Sequence, residues 1–294
     1  MENILKDNFT KVPNEFIKGD DYNLNVKELT VITLLLQTQT NKNICIFNMR
    51  WLYDTIGVSD KNTYSQKEIK RIINNFIEDE IIILRKNIYE DSEIIKDVNK
   101  VNKNDLLFAE IILDDLIDES FTIISDKEIK LILDYCKNNL IDSFGLLSTL
   151  LYILSCMNMD ERLEDYLLCY PSIEKIALSI GLTEVTVIKY INILKELKIL
   201  IFDYAGYKVL VDGKIKNGKM FYSRYENEEL LLNRLNKERE EHGFINISKR
   251  IKDKSNLKKS IKQRINTLKK KDNLTMIYQV KLNLLEEQYK KLNE

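Results

Sequence analysis

The stretch Pro171–Gly206, PSIEKIALSIGLTEVTVIKYINILKELKILIFDYAG, decides how the chain is read. Ser172–Ala177 has the spacing of a short helix, and Gly181 sits where a turn must follow. Thr183 then offers a hydroxyl to the free amides in the first turn of a longer helix. Val187, Ile191 (or Tyr190) and Leu194 recur along one helix face, and Leu197 closes it. The β-branched run Ile199–Phe202 and a turn at Asp203–Gly206 come next. Two helices across a tight turn, followed at once by a strand, read as a helix-turn-helix with a wing, which presents its second helix to the DNA major groove.

The same order occurs upstream. Asn25 can cap a helix from Val26 to about Thr38, with Leu29, Ile32, Leu35 and Leu36 as its buried stripe. A strand-like run (Ile44–Phe47), a helix (Met49–Thr55) and a turn at Gly57 follow. A third helix opens at Tyr64-Ser65 and runs to Glu78 with Ile69, Ile72, Ile73 and Phe76 inward, ending in the run Glu80–Leu84. In the second copy Phe144–Met157 is the first helix, Ser172–Ala177 the second and Thr183–Lys198 the third, and Ile199–Phe202 takes the place of Ile81–Leu84. This is an internal repeat of structure with little residue identity.

The expected fold is mainly α: tandem winged-helix domains, each a helix-turn-helix plus a small β-wing, with a helical C-terminal tail. The expected boundaries are 1–90 for the first winged helix, 91–130 for an acidic helical linker, 131–225 for the second winged helix and 226–294 for a basic, coiled-coil-like tail. In the linker Asp105, Glu110, Asp114, Asp115, Asp118 and Glu119 are interleaved with Leu106, Leu107, Ile111, Ile112, Leu116 and Ile117. That is too many large aliphatics for a disordered segment, so a structured bridge or a packing helix is expected, its acidic face away from DNA. In the second wing, Lys208–Val211 and Gly218–Tyr222 read as a hairpin around Asp212-Gly213, with Lys214, Lys216 and Lys219 about its tip. In the tail, residues 248–271 hold eleven Lys/Arg against the single acid Asp253, with Leu257, Ile261, Ile265 and Leu268 along one side. The last helix carries a short heptad seam of Tyr278, Leu282, Leu285, Tyr289 and Leu292, which suggests self-association, with a homodimer as its simplest form.

Bulk composition narrows the function classes. Lys+Arg number 45 against 46 Asp+Glu, so any nucleic-acid argument must rest on local patches rather than on net charge. Eight glycines and two prolines in 294 residues fit a helical protein with short strands. Cys45, Cys136, Cys156 and Cys169 show no CxxC spacing, and the one histidine, His242, is far from all of them, which predicts buried free thiols and no metal or other cofactor. The polar start MENILKDNF predicts no signal peptide, and the most apolar stretch, Gly145–Met159, is too short to cross a membrane. A cytoplasmic protein is expected. Phosphate loops, dinucleotide fingerprints, nucleophile elbows and HExxH are all missing. The 15 tyrosines lack the His-rich metal site that a tyrosine nucleophile of the rolling-circle kind needs, so no enzyme is expected.

DNA contact is the chemistry the sequence does carry. A reading helix sets short polar and basic side chains opposite its apolar stripe. In the first copy that set is Ser65, Gln66, Lys67, Lys70, Arg71 and Asn74, with the three cations suited to phosphates and Gln66 and Asn74 able to read adenine. In the second it is Thr183, Glu184, Thr186, Ile188, Lys189, Asn192 and Lys195, where Ile188 could meet a thymine methyl or a protein partner. Lys208, Lys214, Lys216 and Lys219 of the wing complete the candidates.

Two winged helices in one chain, the leading segment NFTKVPNEFI and a helical tail resemble plasmid replication initiators of low-GC Gram-positive bacteria, and the related primosome proteins of the replisome-organiser and helicase-loader type. The resemblance spans roughly residues 8–225. It is carried by the two third helices, Ser65–Asn75 and Thr183–Lys195, and the wing at Tyr204–Lys208. It implies binding to an origin or to iterons, dimer–monomer control and recruitment of host replication proteins. The second reading helix is poorer in arginine than such helices usually are, and the tail after Asn227 matches nothing comparable. The expected function is sequence-specific binding of double-stranded DNA by a plasmid- or phage-type replication initiator. A transcriptional regulator of plasmid or mobile-element genes, or a replication adaptor that binds proteins only, is the alternative.

Overall fold

The computed structural model describes residues 8–18, 22, 24–89, 92–112, 120–210, 215–245, 249–269 and 276–291. Within these the chain is mainly helical with a few small antiparallel sheets. It divides into two compact units, one formed by the described parts of Met1–Asp203 and Met220–Arg234, the other by those of Tyr204–Lys219 and Leu235–Glu294.

The first unit holds two similar runs of elements, of which only the first has a strand between its second and third helices. Its first half runs β1 (Phe9–Pro13), α1 (Asn14–Lys18), α2 (Val26–Gln37), β2 (Ile44–Phe47), α3 (Met49–Ile56), α4 (Thr63–Glu78), β3 (Ile82–Arg85) and β4 (Leu107–Ile111). Its second half runs β5 (Phe121–Ser125), α5 (Asp126–Asn139), α6 (Ser143–Ser155), α7 (Ile173–Ile180), α8 (Glu184–Glu196) and β6 (Leu200–Tyr204), and closes with the later strand β9 (Met220–Arg224). Between β6 and β9 the chain forms β7 (Tyr207–Val209) and β8 (Ile215–Asn217), which belong to the second unit.

Helix α2 is buried along the whole run Leu29–Leu36, and α6 along Gly145–Ser155. Helices apolar all round must lie in a core, and these two pack on each other. Their polar residues are satisfied locally or across the contact. Thr33 and Thr149 donate to the carbonyls of Leu29 and Gly145, both at 2.7 Å, and Ser148 Oγ donates to Val26 O of the facing helix at 3.2 Å. The apolar stretch that the sequence marks at Gly145–Met159 is thus a core helix, and among the described residues no single helix is long and apolar enough to cross a membrane.

The halves are joined a second time by strands. β1 pairs antiparallel with β5, from Phe9 opposite Ser125 to Pro13 opposite Phe121. Arg224 at the end of β9 reaches back to Glu128 of α5 and to the carbonyl of Ile123 in β5, and Glu128 also closes the capping box of Ser125. One hydrophobic core therefore runs from Val12 to Tyr222, and the expected boundaries at 90/91 and 130/131 fall inside one compact unit.

The expectation of a helical linker at 91–130 is corrected. Its described part holds a 3-10 turn (Val98–Lys100), the strands β4 and β5 and the start of α5. Leu107, Ala109 and Ile111 alternate inward while Phe108 and Glu110 turn outward, a period of two that no helix can use. Asp114, Asp115, Leu116, Ile117, Asp118 and Glu119 lie outside the described residues.

In the second unit β7 and β8 form an antiparallel hairpin with Lys208 opposite Lys216. Lys216 therefore sits in a strand, and Lys219 follows it in the chain, rather than lying at a tip; Lys214 is outside the described residues. The tail comprises α9 (Glu228–His242), α10 (Lys249–Lys269) and α11 (Met276–Lys291). Ile261, Ile265 and Leu268 of α10 are buried, α10 and α11 pack together, and Lys269 pairs with Glu286 at 2.6 Å. Of the expected seam, Leu282, Leu285 and Tyr289 are half-buried, while the side chains of Leu257, Tyr278 and Leu292 lie outside the described residues.

Candidate nucleic-acid interface

The first candidate is the pair α3–α4. Asn48 caps α3 by accepting from Trp51 N at 2.7 Å, and α3 ends at Gly57 with φ 90°, a left-handed turn that favours glycine. Asn62 caps α4 in turn, accepting from Ser65 N at 3.1 Å. Ile69, Ile72, Ile73 and Phe76 seat α4 in the core, as its spacing predicts. β2, β4 and β3 then lie side by side in that order, with Ile44 opposite Glu110 and Ile82 opposite Ile111.

The expected reading set divides into two groups on this helix. Lys67 and Arg71 are exposed and Lys70 is half-buried. Arg71 pairs with Glu68 at 3.2 Å, and Glu68 also meets Lys27 at 3.3 Å. The hydrogen bond from Arg71 is the main cause that holds the Glu68 carboxyl below its usual range. Ser65 is half-buried, and Gln66 donates to the carbonyl of Ser59 at 3.0 Å, leaving its own oxygen to accept. Asn74 is the departure. Its oxygen accepts from Val98 N at 2.8 Å and its nitrogen donates to Asp97 at 3.1 Å, so both ends of the amide are used to hold a loop and not to read a base.

That loop, the described part of residues 86–106 between β3 and β4, falls partly within the expected linker and carries both signs of charge. Lys96 and Lys100 are exposed, Lys86 pairs with Glu93 at 2.7 Å, and Lys103 pairs with Asp60 at 2.6 Å. The loop is anchored by Ile95 N donating to Leu84 O at 2.8 Å and by the buried side chains of Ile95 and Val98. Tyr64, in the first turn of α4, and Tyr89, in the loop, are both largely exposed and lie outside the expected contact set. The available signal is the pair of alternating runs, Ile82–Arg85 and Leu107–Ile111, that frame a polar stretch with four lysines and five acids.

The second candidate is α7–α8. Ser172 caps α7, and Gly181 at φ 68° ends it. The two helix directions differ by 104°, within the range of a helix-turn-helix pair. Thr183 caps α8, accepting from Thr186 N at 3.3 Å, and Val187, Tyr190, Ile191, Ile193 and Leu194 are buried. Tyr190 lies against α6, where a Cβ on Gly145 would meet its ring at 2.7 Å. Cys169 makes an antiparallel bridge with Tyr222 of β9, and β9 pairs with β6, so the Cys169 segment, β9 and β6 lie side by side in that order.

The polar groups of the second set are mostly turned on their own helix. The hydroxyls of Thr183 and Thr186 are 2.8 Å apart, and Asn192 donates to Ile188 O at 2.8 Å. Lys195 donates to Phe202 O at 3.2 Å with its ammonium 4.8 Å from that ring. Glu184 and Lys189 point into solvent. What the outward surface offers instead is apolar: Leu178 is 82% exposed, Val185 78% and Ile188 48%. Leu178 and Val185 were not among the expected residues.

The wing lysines belong to the second unit. Lys208 donates to His242 O at 3.1 Å and lies 5.4 Å from the Phe244 ring, and Lys216 and Lys219 are exposed. On α10, Lys259, Lys262 and Arg264 are exposed.

Among the described residues no three His, Cys, Asp or Glu side chains converge as metal ligands would. Burial pushes the Cys45 thiol up to about 12 and Cys136 to about 11, and it raises the phenols of Tyr53 and Tyr190 to about 12. Comparison with models of known protein families and with curated proteins gives no match to this chain.

Proposed function

We propose that this chain is a sequence-specific, double-stranded DNA-binding protein made of two winged helices, which acts in the cytoplasm as a replication initiator of plasmid or phage type and catalyses no reaction itself. The observation that carries the reading is the strand order β2-β4-β3 behind the α3–α4 pair, with its counterpart in the second half. A winged helix puts its last strand between the first and the middle one, and the loop joining middle to last is the wing. The loop 86–106, with Lys96 and Lys100 exposed, occupies that place in the first half. The 104° turn between α7 and α8 supports the same reading of the second.

In this mechanism α4 enters a major groove, with Lys67, Lys70 and Arg71 on phosphates and Gln66 at a base edge. Lys96 and Lys100 of the first wing meet the neighbouring backbone. The initiator assignment rests on the resemblance of residues 8–225 to plasmid initiators, which also implies host replication proteins as partners. Self-association would use the outer side of the α10–α11 pair, where Leu284 is exposed.

The test is retention on random genomic duplex fragments through a salt gradient, with sequencing of those held longest. Direct repeats beside AT-rich DNA are expected. A single palindrome over a promoter would replace the initiator with a transcriptional regulator. No retention above low salt would refute DNA binding altogether.

A further inference from the structure

The expected polar set on α8 leaves little to hydrogen-bond with a base: Asn192, Lys195 and the Thr183–Thr186 pair are bonded within the protein. Yet the surface opposite the buried stripe is open. Val185, one turn ahead of Lys189, is 78% exposed in the first turn of the helix, and Ile188 is 48% exposed beside it. Leu178, on α7 across the turn at Gly181, is 82% exposed. Branched side chains so bare at the opening of a helix are costly in water and are not needed by the core, which Val187, Tyr190, Ile191 and Leu194 already fill. Lys175 and Lys189 are exposed on the two helices and could reach phosphates, while the exposed acids Glu174 and Glu184 balance their charge, so the apolar side chains and not net charge distinguish this surface.

We propose that α8 reads T·A base pairs through the thymine C5-methyl groups, with Val185 and Ile188 as the contacting side chains. The major groove presents that methyl only at thymine, so an apolar pair there selects T·A without a hydrogen bond. The two copies then divide the work: α4 contacts phosphates and base edges through polar groups, and α8 supplies apolar selection for thymine-rich DNA. This rests on the DNA-binding reading above, and the experiment separates the two.

A fragment retained at high salt is amplified with deoxyuridine in place of thymidine, which removes every C5-methyl and leaves the pairing edges unchanged. The unaltered protein and its Val185→Ala/Ile188→Ala variant are titrated against both fragments. Each methyl lost from an apolar contact is expected to weaken binding about fourfold, and two contacts about fifteenfold. In the variant the thymine-to-uracil ratio falls to near one, because the partners of those methyls are already gone. Both positions are exposed, so the variant keeps its unfolding midpoint, which checks that the fold is intact. A ratio near one in the unaltered protein overturns the proposal while leaving DNA binding standing. An undiminished ratio in the variant also overturns it and moves the methyl contact to another element. If no fragment of either kind is retained, the DNA-binding reading falls and this proposal with it. The apolar surface would then be a docking face for a protein.

Discussion

Gly145 tests how α8 is held. It lies in the first turn of α6, and a Cβ built there would come within 2.7 Å of Tyr190 Cε2, 3.1 Å of Tyr190 Oη and 2.9 Å of Asp142 Oδ2. Asp142 caps α6 through that same oxygen, which accepts from Gly145 N at 3.1 Å, and Tyr190 is buried and cannot swing into solvent. Replacing glycine by alanine in a helix ordinarily gains up to about 1 kcal/mol. Forcing a methyl into a closed contact costs about 1–3 kcal/mol. The second effect should win here, because the atoms that would have to give way are a core ring and the helix cap. Gly145→Ala is therefore expected to destabilise the protein by about 1–2 kcal/mol, read from urea unfolding at constant m. In a Tyr190→Leu background, where the ring is gone, the same change should lose most of its cost or turn favourable. Because Tyr190 is on α8, affinity for thymine-rich fragments should fall further than affinity carried by α4. An alanine that stabilises the protein with Tyr190 in place would refute the close-packing account.

Other expectations follow from the same contacts. Asn74→Ala should cost about 1–2 kcal/mol by freeing Val98 N and Asp97 from their shared partner, whereas Lys67→Ala should leave stability within about 0.5 kcal/mol and lower the slope of log affinity against log salt by about one. Arg224→Met should destabilise by about 3 kcal/mol in a chemical unfolding curve, since Glu128 would be left with its charge largely buried; Arg224→Met/Glu128→Leu should recover part of that loss. Tyr53 and Tyr222 keep buried hydroxyls without a hydrogen-bond partner among the described residues, so their phenylalanine variants should be neutral or stabilising by up to about 1 kcal/mol, with a loss of more than that counting against the assignment.

What could be read from the sequence depended on whether the deciding contact was local. Thr183, Gly181 and the 3–4 spacing of Val187, Ile191 and Leu194 lie within a few residues of one another, and the α7–turn–α8 unit stands where they place it. Asn25 and Glu28 close a reciprocal capping box, likewise a local signal. By contrast, β4 sits in an acidic context and finds its ladder with β2, sixty or more residues upstream, so the interleaved acids and aliphatics around it read as a bridge or packing helix. Helix α5 is hard to read because its four buried side chains, Ile129, Ile132, Leu133 and Cys136, are set among lysines and aspartates. Asn74 has the composition of a base reader. Its direction is fixed by Asp97 and Val98, which nothing in the helix itself announces. On α8 the residue types were legible, but the bonds that occupy Asn192 and Lys195 and leave Val185 bare were not.

The pairing of β1 with β5 bears on how the protein is made. Val12 is opposite Thr122, so the strand that opens the fold leaves the ribosome roughly 110 residues before its partner, about 5–20 s at ordinary rates of translation. Over that interval β1 has an unpaired edge, and α2 shows bare the side that α6 will cover. The first copy can start on its own three-stranded sheet, but it completes its core only once the second has been synthesised, so the nascent half is a natural client for chaperones that shield apolar surface.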